Sequence, residues 1–160
     1  MSAESKAGEK NKQGESSGAG FSGEERAAIK ERAAELRADA RHSRNADKAA
    51  ADERAVLAKI AEMAPPDRAL AERVHAIVTA AAPELAPKLW YGQPAYYKEG
   101  KAVCFFRSGQ VDKERYSSLG FSAQANLDDD DGMWPTAYAL TELSKAGEAA
   151  ITRLVKKAVS

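Results

Sequence analysis

Residues 90 to 106 read Trp90-Tyr91-Gly92-Gln93-Pro94-Ala95-Tyr96-Tyr97-Lys98-Glu99-Gly100-Lys101, followed by the apolar run Ala102 to Phe106. No other stretch constrains the fold as strongly. Lys98-Glu99-Gly100-Lys101 predicts a hairpin turn, because Gly100 can take a positive φ. From Ala95 the apolar period shifts towards two, and Val103 to Phe106 is apolar on both faces, as a covered strand requires. Upstream, Leu70, Val74, Ile77, Val78 and Ala81 recur at helical spacing. The segment therefore joins helix to sheet and predicts the middle of an α+β domain.

The flanks extend this pattern. Pro65-Pro66 ends one helix and opens the next, since proline is tolerated in a first turn but not in a helix interior. Pro83 and Pro87 bracket what reads as a short irregular link into Trp90. Beyond the hairpin, a loop around Ser108-Gly109-Gln110 leads to a strand ending Leu119-Gly120-Phe121. Trp134, Thr136, Tyr138 and Leu140 alternate, and Pro135 suits an edge strand because it donates no ladder bond. Ser144 is placed to cap a closing helix with Ile151, Leu154, Val155, Ala158 and Val159 on its core face.

The N-terminal third differs. Residues 1–20 hold almost no large apolar side chain and are expected to stay disordered. Ser22 can cap a helix that begins near Glu24 and Glu25, with a thin stripe of Ile29, Ala33, Leu36 and Ala40. A polar break is expected at His42-Ser43-Arg44-Asn45, before a second helix carrying Val56, Leu57, Ile60 and Met63. The expected organisation is a tail (1–20), a helical extension (21–63) and an α+β domain (64–160).

Composition excludes several function classes. Lys+Arg and Asp+Glu are 24 each, so no global field draws the chain to nucleic acid or an anionic membrane. The basic cluster Arg37, Arg41, His42, Arg44 and Lys48 is diluted by Asp39 and Asp47 and lacks interleaved aromatics for base stacking, which disfavours nucleic acid further. No apolar run approaches the roughly 20 residues of a membrane span. The single cysteine, Cys104, rules out an internal disulfide and reads as a small buried hydrophobe. With no signal-peptide core near the N-terminus, a cytoplasmic location is expected.

Candidate sites are few. Trp90, Tyr91, Gln93 and Tyr96 are the candidate ligand-binding residues, rings and an amide that could line a cleft. The same rings also suit a core under the sheet, with Tyr91 and Gln93 the members expected to face outward. Asp128-Asp129-Asp130-Asp131 is the candidate metal site, because hard cations take carboxylate oxygens. It fails the calcium-loop template, as Leu127 and Tyr138 stand where acids are required. No nucleophile elbow, phosphate loop or zinc motif is present, so no catalytic residue is assigned.

Trp90-Tyr91-Gly92-Gln93-Pro94-Ala95-Tyr96, the strand Val103-Cys104-Phe105-Phe106, Leu119-Gly120-Phe121 and the closing Leu154-Val155-Lys156-Lys157-Ala158 together resemble the YdhG-like family of small domains. The resemblance covers residues from about Leu70 to the end. It implies a two-layer sandwich similar to frataxin, an antiparallel sheet packed against helices, and a branch described as an iron chaperone. The function expected on this basis is non-enzymatic binding of iron, another metal or a small ligand. Two alternatives stay open: a protein-interaction module, docking a partner or a second copy through the N-terminal helices, and a small enzyme using the aromatic cleft.

Overall fold

A computed structural model of the chain describes residues 22–160. The expected disordered tail lies outside the described residues. By packing, the chain divides at Ala46/Asp47.

Helix α1 (Gly23–Ala61) runs through that division as one continuous element of 39 residues. The break expected at His42–Asn45 is therefore absent. Polar residues interrupt a hydrophobic stripe, yet they cost a helix only a few tenths of a kcal/mol each. Neither Gly nor Pro occurs between Glu24 and Ala64, so nothing in the covalent chain stops the helix. Ser22 caps its start, its Oγ accepting from Glu25 N at 3.1 Å. Up to Ala46 the helix buries no residue, and Ile29 and Leu36 stand exposed.

The second part begins with the last turns of α1, whose Val56 and Ile60 are buried. The boundary expected at 63/64 falls inside this packing unit instead. Helix α2 (Pro65–Ala81) follows, and buries Leu70, Val74, Ile77 and Val78, the stripe that its spacing predicts. Strands β1 (Ala86–Trp90), β2 (Gln93–Lys98), β3 (Lys101–Arg107), β4 (Ser117–Phe121) and β5 (Ala137–Leu140) form an antiparallel sheet in sequence order. Helix α3 (Lys145–Val159) closes the chain, with Ser144 Oγ accepting from Gly147 N at 3.1 Å. The fold is α+β, helices packed on an antiparallel sheet.

Strand β1 occupies the stretch that reads as an irregular link. It is an edge strand, where a proline such as Pro87 is tolerated. One sheet face supplies Tyr96, Cys104, Phe106 and Leu119 to the core shared with α1, α2 and α3. Burial pushes the Cys104 thiol up to about 12, so it behaves as a hydrophobe and not as a nucleophile. On the opposite face Phe105 pairs with Gly120 across the β3–β4 ladder. A Cβ at Gly120 would sit 2.4 Å from the Phe105 ring, so this glycine makes room for an aromatic side chain. Trp90 meets the same ring edge-on, centroids 5.1 Å apart.

Candidate functional site

Two connections lie at the same end of the sheet: the β1–β2 turn and the β3–β4 loop. Tyr91 and Gly92 form the turn, with φ of 51° and 74°. Two residues with positive φ between antiparallel strands is the tight hairpin form that prefers Asn-Gly or Gly-Gly. A tyrosine in the left-handed region is uncommon. It is also 86% exposed, although its ring lies 5.2 Å from Trp90. Neither backbone preference nor burial accounts for Tyr91.

The β3–β4 loop is fixed by its neighbour α2. Asp67, in the first turn of that helix, accepts hydrogen bonds from the Ser108 hydroxyl and from Gln110 N, the latter at 3.0 Å. Burial pushes the Asp67 carboxyl up, but the donors Ser108, Gln110 and Ser117 outweigh it and hold the group below the usual range. Gly109 allows the loop to close, since a Cβ there would stand 2.2 Å from Tyr116 O. The anchored loop presents Val111, which is 73% exposed.

Between these connections lies a cleft of about 130 Å³. Met63, Pro94 and Phe106 give it an apolar floor, and Gly92, Gln93, Ser108 and Val111 form its walls. Lys59, Glu62, Arg107 and Asp112 stand around them. These four are already paired: Lys59 with Glu62 at 3.8 Å, and Arg107 with Asp112 at 3.6 Å. Arg107 also reaches Glu114 at 3.3 Å.

The structure separates the candidate ligand-binding residues. Gln93 lines the cleft, and Tyr91 immediately precedes its wall at Gly92. Trp90 packs on Phe105. Tyr96 is fully buried, its hydroxyl 2.9 Å from His75 Nδ1, so it belongs to the core and cannot be reached by a ligand. Met63, Phe106 and Val111 were not singled out as site residues. Their contribution depends on a helix junction and a loop meeting the sheet end, which no local pattern encodes.

The acidic run lies at the surface. Asp128, Asp129, Asp130 and Asp131 are all exposed, and Asp129 pairs with Lys157 at 3.7 Å. Among the described residues no three His, Cys, Asp or Glu side chains are grouped as a metal site would need. The same residues contain no helix long and apolar enough to cross a membrane. Comparison with family models, curated proteins and solved structures finds no match to the chain.

Proposed function

We propose that the chain is a non-enzymatic binding module that recognises a protein partner by taking one side chain into the cleft at the loop end of the sheet. One observation carries this reading: a small apolar-floored cleft lined by Val111, a large side chain that the fold leaves exposed. Isolated exposed hydrophobes need no explanation, but one lining an apolar-floored cavity suits an interaction surface. The volume argues for a side chain over a cofactor, since small-molecule sites usually span roughly 300–1,000 Å³. The lining acids and bases neutralise one another, which favours docking over proton transfer. The iron carrier implied by the YdhG-like resemblance rests on motif residues alone and finds no gathered ligand set in Asp128 to Asp131.

A calorimetric titration with p-cresol, the tyrosine side chain as a free molecule, tests this reading. Saturable binding that Val111→Trp abolishes supports it. Absence of saturable heat, or binding indifferent to Val111→Trp, removes the cleft as the site.

A second reading concerns α1. Ile29 and Leu36 lie one heptad apart and are exposed on a stretch that buries nothing. We assign this stripe to contact with a partner helix. Unchanged partner binding after Ile29→Ser with Leu36→Ser would dismiss it.

A further inference from the structure

From Gly23 to Ala46 the chain is helical throughout and buries no side chain. Helices in water draw most of their stability from packing one face, and propensity alone leaves them marginal. A face for such packing is present. Ile29, Ala33, Leu36 and Ala40 follow one another at intervals of four, three and four residues, the alternation that forms a seam when two helices coil together. Ile29 and Leu36 are its large members, and both stand exposed. The alanines between them let a second backbone approach closely.

We propose that this stripe is the seam of a parallel, two-stranded coiled coil between two copies of the chain. The proposal rests on the reading of the stripe as a helix contact and names its occupant. Charge along the borders of the seam argues both the partner and the direction. One border carries Lys30, Arg37 and Arg44, and the other carries Glu25, Arg32 and Asp39. In a parallel pair each residue of the second border faces, on the other copy, the residue five positions further along. Glu25 then meets Lys30, and Asp39 meets Arg44, twice over by symmetry. The one like-charged meeting, Arg32 with Arg37, is softened because Glu35 of the same helix holds Arg32 at 3.1 Å.

An antiparallel pair would set Lys30, Arg37 and Arg44 against one another along a wholly basic border. A two-fold contact uses the same patch on both partners, so the patch must complement itself. This one does so in the parallel sense. Charged borders also leave a narrow apolar seam, which two strands suffice to cover. Counting on from Ala40, the next seam positions are Ser43 and Asp47. Two aspartates meeting on the axis repel, so the seam closes where the chain divides.

Sedimentation equilibrium on the full chain over a concentration series, with cysteine cross-linking, tests the proposal. Wild type should dimerise, and Ile29→Ser with Leu36→Ser should weaken association about a hundredfold or more, the loss of the apolar anchors on both copies. Both positions are exposed, so the loss does not come from misfolding. Lys30→Glu should weaken association severalfold, and adding Glu25→Lys should restore it. Ile29→Cys and Ser43→Cys, each treated alone with an oxidant, should both give the cross-linked dimer; the native Cys104 is buried. An antiparallel pair can bring at most one of these two positions against itself. A monomer throughout the series, association indifferent to the two serines, or cross-linking at only one position would overturn the proposal. A monomer removes the second copy alone and leaves the stripe to a helix of another protein, which the partner-binding comparison of the serine variant decides separately.

Discussion

The turn at Tyr91 and Gly92 sets a fold preference against an exposed aromatic. Replacing Tyr91 by Asn removes the misfit in the left-handed region, so stability should rise by about 0.5–1 kcal/mol, read by urea unfolding. A fall in stability would mean that the Trp90 contact outweighs the backbone misfit. Gly120 poses the opposite problem. Gly120→Ala drives a methyl into the Phe105 ring and should cost about 1–3 kcal/mol, with a changed Trp90 emission because Trp90 packs on that ring. An unchanged midpoint and spectrum would show that Phe105 moves aside freely. Gln93 and Tyr91 were legible as outward-facing from sequence. Tyr96 stayed among the ligand candidates although its ring also suited the core, because only its full burial and the His75 contact decide between the two.

At the scale of elements, His75 on α2 joins the sheet to α1. Its Nδ1 lies 2.9 Å from the Tyr96 hydroxyl on β2, and its Nε2 lies 4.0 Å from Glu53 Oε1 on α1. A neutral ring whose Nδ1 accepts from the hydroxyl carries its proton on Nε2, on the side of Glu53. Burial pushes the His75 pKa down, with Glu53 opposing, so the folded value lies below the unfolded one of about 6.5. The unfolded chain therefore binds the proton first as pH falls. The stabilising contribution of His75 is complete above about pH 6.5 and is lost as pH drops from there through the depressed folded value. His75→Gln should flatten the stability profile across that interval, measured by thermal unfolding. Equal profiles for wild type and His75→Gln would contradict this account. The continuity of α1 was hidden for a related reason. A polar patch weakens an amphipathic pattern without stopping a helix, whereas Pro65 ends one through backbone chemistry.

For the whole molecule, the division at Ala46/Asp47 makes a prediction about truncation. A chain starting at Asp47 should unfold cooperatively at nearly the midpoint of the full chain, since residues 23–46 bury nothing. A chain starting at Ala64 loses Val56, Ile60 and Met63 from the core. Each such loss costs about 2–5 kcal/mol, so this fragment should not fold. Circular dichroism and denaturant unfolding of both would decide, and a cooperative fragment 64–160 would show that the α1 turns are dispensable. The α+β class, the hairpin at Glu99-Gly100 and the closing helix were legible because each is written in local periodicity or turn chemistry. The cleft was not, since Met63, Gln93, Phe106 and Val111 come from four separate elements or connections.

The claim that the loop end of the sheet is the recognition surface is tested most directly by mapping amide NMR shifts of the labelled chain during titration with p-cresol. The account predicts saturable shifts concentrated at Gly92, Gln93, Arg107 and Val111. Shifts centred on Asp128 to Asp131 or spread without saturation, with those four amides unmoved, would contradict it.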